Sequence, residues 1–151
     1  MSKRPSKNIV FMEMAASIAR RSTCARRSVG CILVDNNSHI SGTGYNGSAR
    51  GASHCIDSPC PGADSPSGQD LDLCEAIHAE QNALLQCKDV NNIYACYCTA
   101  APCITCTKLL MNTTCQVIYY TESYPGSGWE LWTESRGPLS WLQIPEPECP
   151  F

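Results

Sequence analysis

Four residues of this 151-residue chain have the types and spacing of a metal centre with an acid–base partner. His78 and Glu80 stand two apart in "HAEQNALL", and Cys103 and Cys106 stand three apart in "APCITCTKLL". One imidazole nitrogen and two thiolates form a donor set suited to zinc. Three protein ligands leave a fourth position to water, as a catalytic site requires and a structural one does not. Positions two apart diverge by about 200° around a helix, so His78 and Glu80 do not share a mid-helix face. At the first turn of a helix, side chains instead project past its end into a cleft. There His78 would hold the metal, and Glu80 would move protons to and from the water. Cys103 and Cys106 lie on one helical face, and a helix N-terminus favours thiolates through its dipole and unpaired amides. Taken singly the parts say less. A histidine opening a helix more often caps it, and a lone CxxC can be a redox pair or half of a structural zinc knuckle.

Both pairs therefore need helix starts, and the surrounding sequence provides them. Ala83, Leu84 and Leu85 favour a helix from His78 to about Cys87. Pro102 suits the first turn of another through "CITCTKLLMN". An earlier helix is expected over 8–23, with Ile9, Met12, Ala16 and Ala19 on one face and Asn8 as cap. "SVGCILVD" and "SHISGTGYNG" read as a hairpin turning at "DNNS", and "NIYACYCT" and "CQVIYYTE" as further strands. Cys96 and Cys98 alternate along their strand and point to one face. Strand–helix–strand alternation late in the chain predicts an α/β layered sheet with parallel neighbours. The stretch holding Trp129, Trp132, Trp141 and Gly137-Pro138 has no clear pattern, and no internal repeat is visible. Residues 48–74 are rich in Gly, Pro, Ser and Asp and show neither period; so long a loop inside one domain, 1–151, needs a function or a staple.

Composition narrows the class. A net charge of −3 without a long basic run gives no footprint for a polynucleotide. No stretch approaches the roughly 18 apolar residues of a membrane span. The basic, then apolar, N-terminus is interrupted by Glu13 and resembles an amphipathic helix more than a signal peptide. Twelve cysteines approach disulfide-scaffold density, but in an apparently unsecreted chain of this length metal binding in a reduced compartment is the better reading.

H-x-E followed by P-C-x-x-C is the signature of zinc nucleobase deaminases. The chain resembles the cytidine/deoxycytidylate deaminase superfamily, in particular its deoxycytidylate (dCMP) deaminases of bacterial and phage type. The likeness covers most of residues 8–124, through "SVGCILV", "GYNGSARG", "IHAEQNALLQC", "APCITCTKLL" and "VIYYTESY". It implies a three-layer α/β/α fold around a central mixed sheet. It also implies hydrolytic loss of ammonia from C4 of dCMP, giving dUMP for thymidylate synthesis in the cytoplasm (the host's, if phage-encoded). Such enzymes are typically homo-hexamers activated by dCTP and inhibited by dTTP. The backbone N–H of Ala79 would hold the base carbonyl.

The formal G-x-G-x-x-G of "GTGYNG" is a poor dinucleotide turn, because "SARGAS" and not a helix follows it. Under the resemblance, Asn46 would contact the substrate sugar. Gly44, Tyr45, Gly47 and Arg50 would lie near the effector, with Mg²⁺ sharing the triphosphate charge. Arg26 is the candidate for the substrate 5′-phosphate, with Arg27 its rival, and Tyr124 matches a family tyrosine that lines the sugar or phosphate pocket. Related phage enzymes hold a second, structural zinc that includes the cysteine ending the first helix, here Cys24. The set expected for it is Cys24, His54, Cys60 and Cys74, since the adjacent His54 and Cys55 seldom both reach one ion; equally, these cysteines could pack as small apolar groups. A nucleoside deaminase, a tRNA or single-strand deaminase and a non-enzymatic zinc-stapled module are the competing readings.

Overall fold

The computed structural model describes residues 3–66, 68–70 and 73–147; Ser67, Leu71 and Asp72 of the long loop lie outside it. Helix α1 (Lys7–Ala19) leads into strands β1 (Gly30–Val34) and β2 (Ile40–Tyr45). After the long loop come α2 (Ala79–Gln86), β3 (Ala95–Ala100), α3 (Ile104–Met111) and β4 (Val117–Glu122). Helix α4 (Trp129–Arg136) and a short strand β5 (Trp141–Gln143) complete the order. The five strands form one mixed sheet in the order β2-β1-β3-β4-β5. β1 is antiparallel to β2 and β3, whereas β3, β4 and β5 run parallel.

Period-two alternation divides the strands between two cores. Ile32, Val34, Ala95, Tyr97 and Val117 face Met12 and Ala15 of α1. Cys31, Leu33, Cys96, Cys98 and Ile118 face the opposite way, toward Ala79, Ala83, Leu110 and Trp132 of α2, α3 and α4. The result is the expected α/β/α layering around a mixed sheet. Several of the twelve cysteines are thus ordinary core, and the eleven described are all free thiols.

Three details differ from the sequence expectation. α1 ends at Ala19, four residues short of the predicted end. Its cap is Ser6, whose Oγ accepts from the Ile9 N–H at 3.3 Å, and not Asn8, which accepts a 2.6 Å bond from Tyr97 Oη. The tryptophan-rich stretch, patternless in the sequence, forms α4 and β5. Trp132 is fully buried against Trp141 at a centroid distance of 6.4 Å, and its indole N–H donates to Ser140 Oγ at 2.9 Å. Burial of large aromatic surface with a satisfied polar edge orders a segment that has no periodic signal of its own.

Among its described residues the loop has no α-helix or strand until it rejoins β2. There Gly47 and Ile77 exchange backbone hydrogen bonds of 3.1 and 2.8 Å, so the chain enters α2 already aligned with the sheet. Asn82 reinforces that alignment by donating to Tyr45 O at 2.8 Å. Gly42 and Gly44 explain the glycine spacing of β2. A Cβ on Gly44 would collide with Ala79 O and lie 2.5 Å from Ala83 N, so the missing side chain lets α2 sit directly on the strand. No helix of the described residues is long and apolar enough to cross a membrane.

Candidate active site

His78 and Cys103 both occupy N-caps, of α2 and α3, with extended backbones. An N-cap side chain points beyond the helix end, and so the ends of two neighbouring helices deliver their donors to one place. Gln81 Oε1 accepts the His78 N–H at 2.8 Å, and Cys103 Sγ accepts the Cys106 N–H at 3.4 Å. His78 Nδ1 lies 3.4 Å from Cys103 Sγ and 3.3 Å from Cys106 Sγ. Among the described residues, His78, Cys103 and Cys106 form the one group of three such donors whose ligand atoms all lie within 4.8 Å of one another. Tetrahedral zinc bonded to sulfur and nitrogen puts those atoms about 3.6 Å apart. The triplet fits that ion, and its nitrogen donor is Nδ1.

Electrostatics agree with the donor set. The neighbouring Cys106 thiol, together with His78, lowers the Cys103 pKa to about 4, so this sulfur is a thiolate. The Cys103 sulfur and burial hold Cys106 protonated in the metal-free state, and Cys103 raises His78. Glu80, the second residue of α2, is 4% exposed, and burial raises its carboxyl above the usual range. A proton carrier needs such a shift to exchange protons near neutral pH. Cys98 Sγ approaches Glu80 Oε1 at 3.3 Å from β3; burial pushes the Cys98 thiol up to about 12, which leaves its proton in place as a donor.

These groups share a cleft of about 320 Å³ with Arg26, Arg27, Asn46 and Tyr124. Arg26 Nη2 donates to the carbonyls of Pro66 at 2.6 Å and Gln69 at 3.0 Å, strapping the long loop beside the cleft. Its Nη1 is buried and has no hydrogen-bond partner among the described residues. Arg27 is engaged elsewhere, 3.2 Å from Glu122 and over the Tyr124 ring at 5.0 Å. Asn46 lines the cleft, but its amide is largely used in bracing the chain. Oδ1 accepts from Val29 N at 2.9 Å, and Nδ2 donates to Arg27 O at 2.8 Å.

Other sequence candidates are not gathered there. Gly44 and Gly47 are buried, Arg50 is exposed, and neither they nor Tyr45 line the cleft. Gly47, like Gly44, has a packing reason to lack a side chain, since a Cβ would meet Thr23 Oγ1 at 2.5 Å. Of the set expected for a second metal, Cys74 lies near enough to Cys24 and Cys60 to feel their charge. His54 does not join them. Its ring is half-exposed, with Nδ1 3.9 Å from an Asp57 carboxylate oxygen. The neighbour of Cys60 is Cys55, buried and with its sulfur 3.6 Å away. Adjacent residues in a turn point apart, and here the cysteine is the one that faces inward.

Two helix N-caps presenting His and Cys donors, with a buried glutamate beside them on an α/β/α sheet, define a candidate metal centre with its own proton carrier. The chain belongs to the family described as the cytidine and deoxycytidylate deaminase zinc-binding region, whose model matches residues 5–122. It is 44% identical over 125 residues to a deoxycytidylate deaminase of Schizosaccharomyces pombe, a match covering 80% of this chain and 38% of that protein. This chain thus spans well under half the length of that relative. With the deoxycytidylate deaminase of Mycobacterium phage D29 it shares 38% identity, over 80% of this chain and 98% of the phage protein. The fold matches that of a dCMP deaminase from cyanophage S-TIM5, solved in complex with dCMP and dUMP, with a TM-score of 0.75 and 24% identity over 95% of this chain and all of the other.

Proposed function

We propose that this chain hydrolyses dCMP to dUMP and ammonia. The observation that carries the reading is the buried Glu80 beside the His78–Cys103–Cys106 triplet, in one cleft with Arg26, whose Nη1 has no hydrogen-bond partner among the described residues. Zinc on the triplet would supply Lewis acidity, which makes a water nucleophilic at neutral pH. Glu80 accepts the proton of the water that adds to C4 and passes it to N3, then takes the proton of the new C4 hydroxyl and delivers it to the departing amine. The C4–N bond breaks, a C4 carbonyl forms, and water plus dCMP leave as dUMP plus ammonia. The Ala79 N–H, a first-turn amide with no intrahelical acceptor, holds the base carbonyl. Arg26 Nη1 receives the 5′-phosphate through a charge-assisted bond, with Tyr124 beside it. Asn46 braces the segment that carries the two arginines and offers its remaining N–H to the sugar.

Enclosure favours a free nucleotide over a strand. Ala63, Ser65 and Gly68 of the loop line the cleft. The Arg26 strap holds that wall in place beside the cleft.

The reading extends to a second, structural zinc on Cys24, Cys60 and Cys74, with Cys55 in place of His54; Cys55 and Cys60 stand 3.6 Å apart, and Cys24 and Cys74 would have to close on them as the ion binds. It also extends to a single domain over 1–151 acting in the cytoplasm, to a homo-hexamer, and to activation by dCTP and inhibition by dTTP. In this reading the exposed Arg50 is a contact for the Mg²⁺-bound triphosphate effector.

The test is product analysis with dCMP, deoxycytidine, cytidine and single-stranded RNA, for the parent chain and Glu80→Gln. Only dCMP should be turned over efficiently. Glu80→Gln should keep its zinc and fold and lose on the order of 10³-fold or more in kcat. Near-parental turnover in that variant refutes the role of Glu80, and preference for RNA or nucleoside refutes the substrate.

A further inference from the structure

The geometry points to Cys98 as the positioning residue of the reaction, its S–H holding the Glu80 carboxylate in the orientation from which it moves protons. The inference rests on the proposed role of Glu80. Cys98 is fully buried on β3, with its Sγ 3.3 Å from Glu80 Oε1. It is the one side chain among the described residues that gives this carboxylate a hydrogen bond. A carboxylate has about four acceptor sites and three rotatable bonds, so a buried one without a fixed donor samples several orientations. The backbone N–H of Glu80 itself also reaches the carboxylate, and Cys98 on β3 is the side chain that adds a second, fixed direction.

Thr99, the next residue, is not available for the task. Its Oγ1 accepts from Gly30 N at 3.1 Å, on the other side of the strand. The sulfur neighbours Cys31 and Cys96 share the same core face, and their sulfurs approach one another at 3.6 Å. They give Cys98 a polarizable, water-free setting in which its proton has Glu80 as acceptor.

A thiol used only for packing and a thiol used as a donor predict opposite rank orders. Cys98→Ala removes the donor with some volume, Cys98→Ser keeps a donor at nearly the volume of Ala, and Cys98→Val removes the donor while adding bulk. If the donor matters, Val and Ala lower kcat by about five- to tenfold with KM for dCMP and zinc content unchanged, and Ser stays within about twofold of the parent. Parental kcat in the Val variant, or a Ser variant as slow as Val, overturns the proposal.

A second measurement needs neither turnover nor a Cys98 variant. The infrared S–H stretching region of the parent, minus that of Glu80→Ala, should show one thiol band moving from a bonded to a free frequency. No shifted band means that no thiol bonds Glu80, and the proposal fails. This readout also separates the two claims, because a shifted band together with near-parental activity of Glu80→Gln would leave the contact standing and remove its catalytic meaning.

Discussion

Gly44→Ala, a methyl group added at a residue that does not line the cleft, should impair both stability and catalysis. The new Cβ would collide with Ala79 O and stand 2.5 Å from Ala83 N, both backbone atoms of α2. Backbone has no rotamer with which to yield. An ordinary carbon–nitrogen contact of about 3.5 Å requires the helix to retreat by about 1 Å. Overpacking of this kind costs about 1–3 kcal/mol, which lowers Tm by roughly 3–10 °C in a domain of this size. The larger effect is on geometry, because α2 carries His78 at its cap and Glu80 in its first turn. A misplacement of about 1 Å between reacting groups costs on the order of 100-fold in rate. Urea unfolding and thermal melts measure the first effect, kcat on dCMP the second, and zinc content shows whether His78 has moved off the metal. A variant within about 0.5 kcal/mol of the parent and with parental kcat would refute the claim that the glycine spacing of β2 exists to seat α2.

Arg26→Ala should reduce kcat/KM for dCMP by about 10- to 100-fold, the loss of a charge-assisted bond to phosphate, and leave slow deoxycytidine turnover nearly unchanged. The same loss on both substrates would mean that Arg26 serves only the loop. Zinc uptake by metal-free protein should tighten as pH rises, because the Cys106 thiol and the imidazolium of His78 must both release protons; competition titrations at several pH values would measure the slope. Saturated protein should carry two zinc ions per chain, with one lost in Cys106→Ala and the other in Cys55→Ala but not in His54→Ala.

How legible this molecule was depended on whether a residue's role was set by neighbours in sequence or in space. The spacing H-x-E and P-C-x-x-C, with helix-start chemistry around each, was enough to assemble a zinc triplet and a glutamate before any coordinates. That works because capping and the helix period are local rules. The layered α/β order followed from the alternation of two periods. The sequence alone also put Arg26 forward for the phosphate, with Arg27 as a rival it had no physical ground to dismiss. Only the tertiary structure occupies Arg27 with Glu122 and Tyr124 and leaves a buried nitrogen of Arg26 without a partner among the described residues. It likewise turns Cys55 inward and His54 outward, and shows Gly44 as a seat for α2. α4 and β5 were invisible because a tryptophan pair buried against the sheet orders them, and burial is a property of the whole chain. Cys98 shows the same division. Its alternation with Cys96 placed it on a core face, but that this face holds the end of α2, and with it Glu80, depends on how helix and sheet pack, which no run of neighbouring residues encodes.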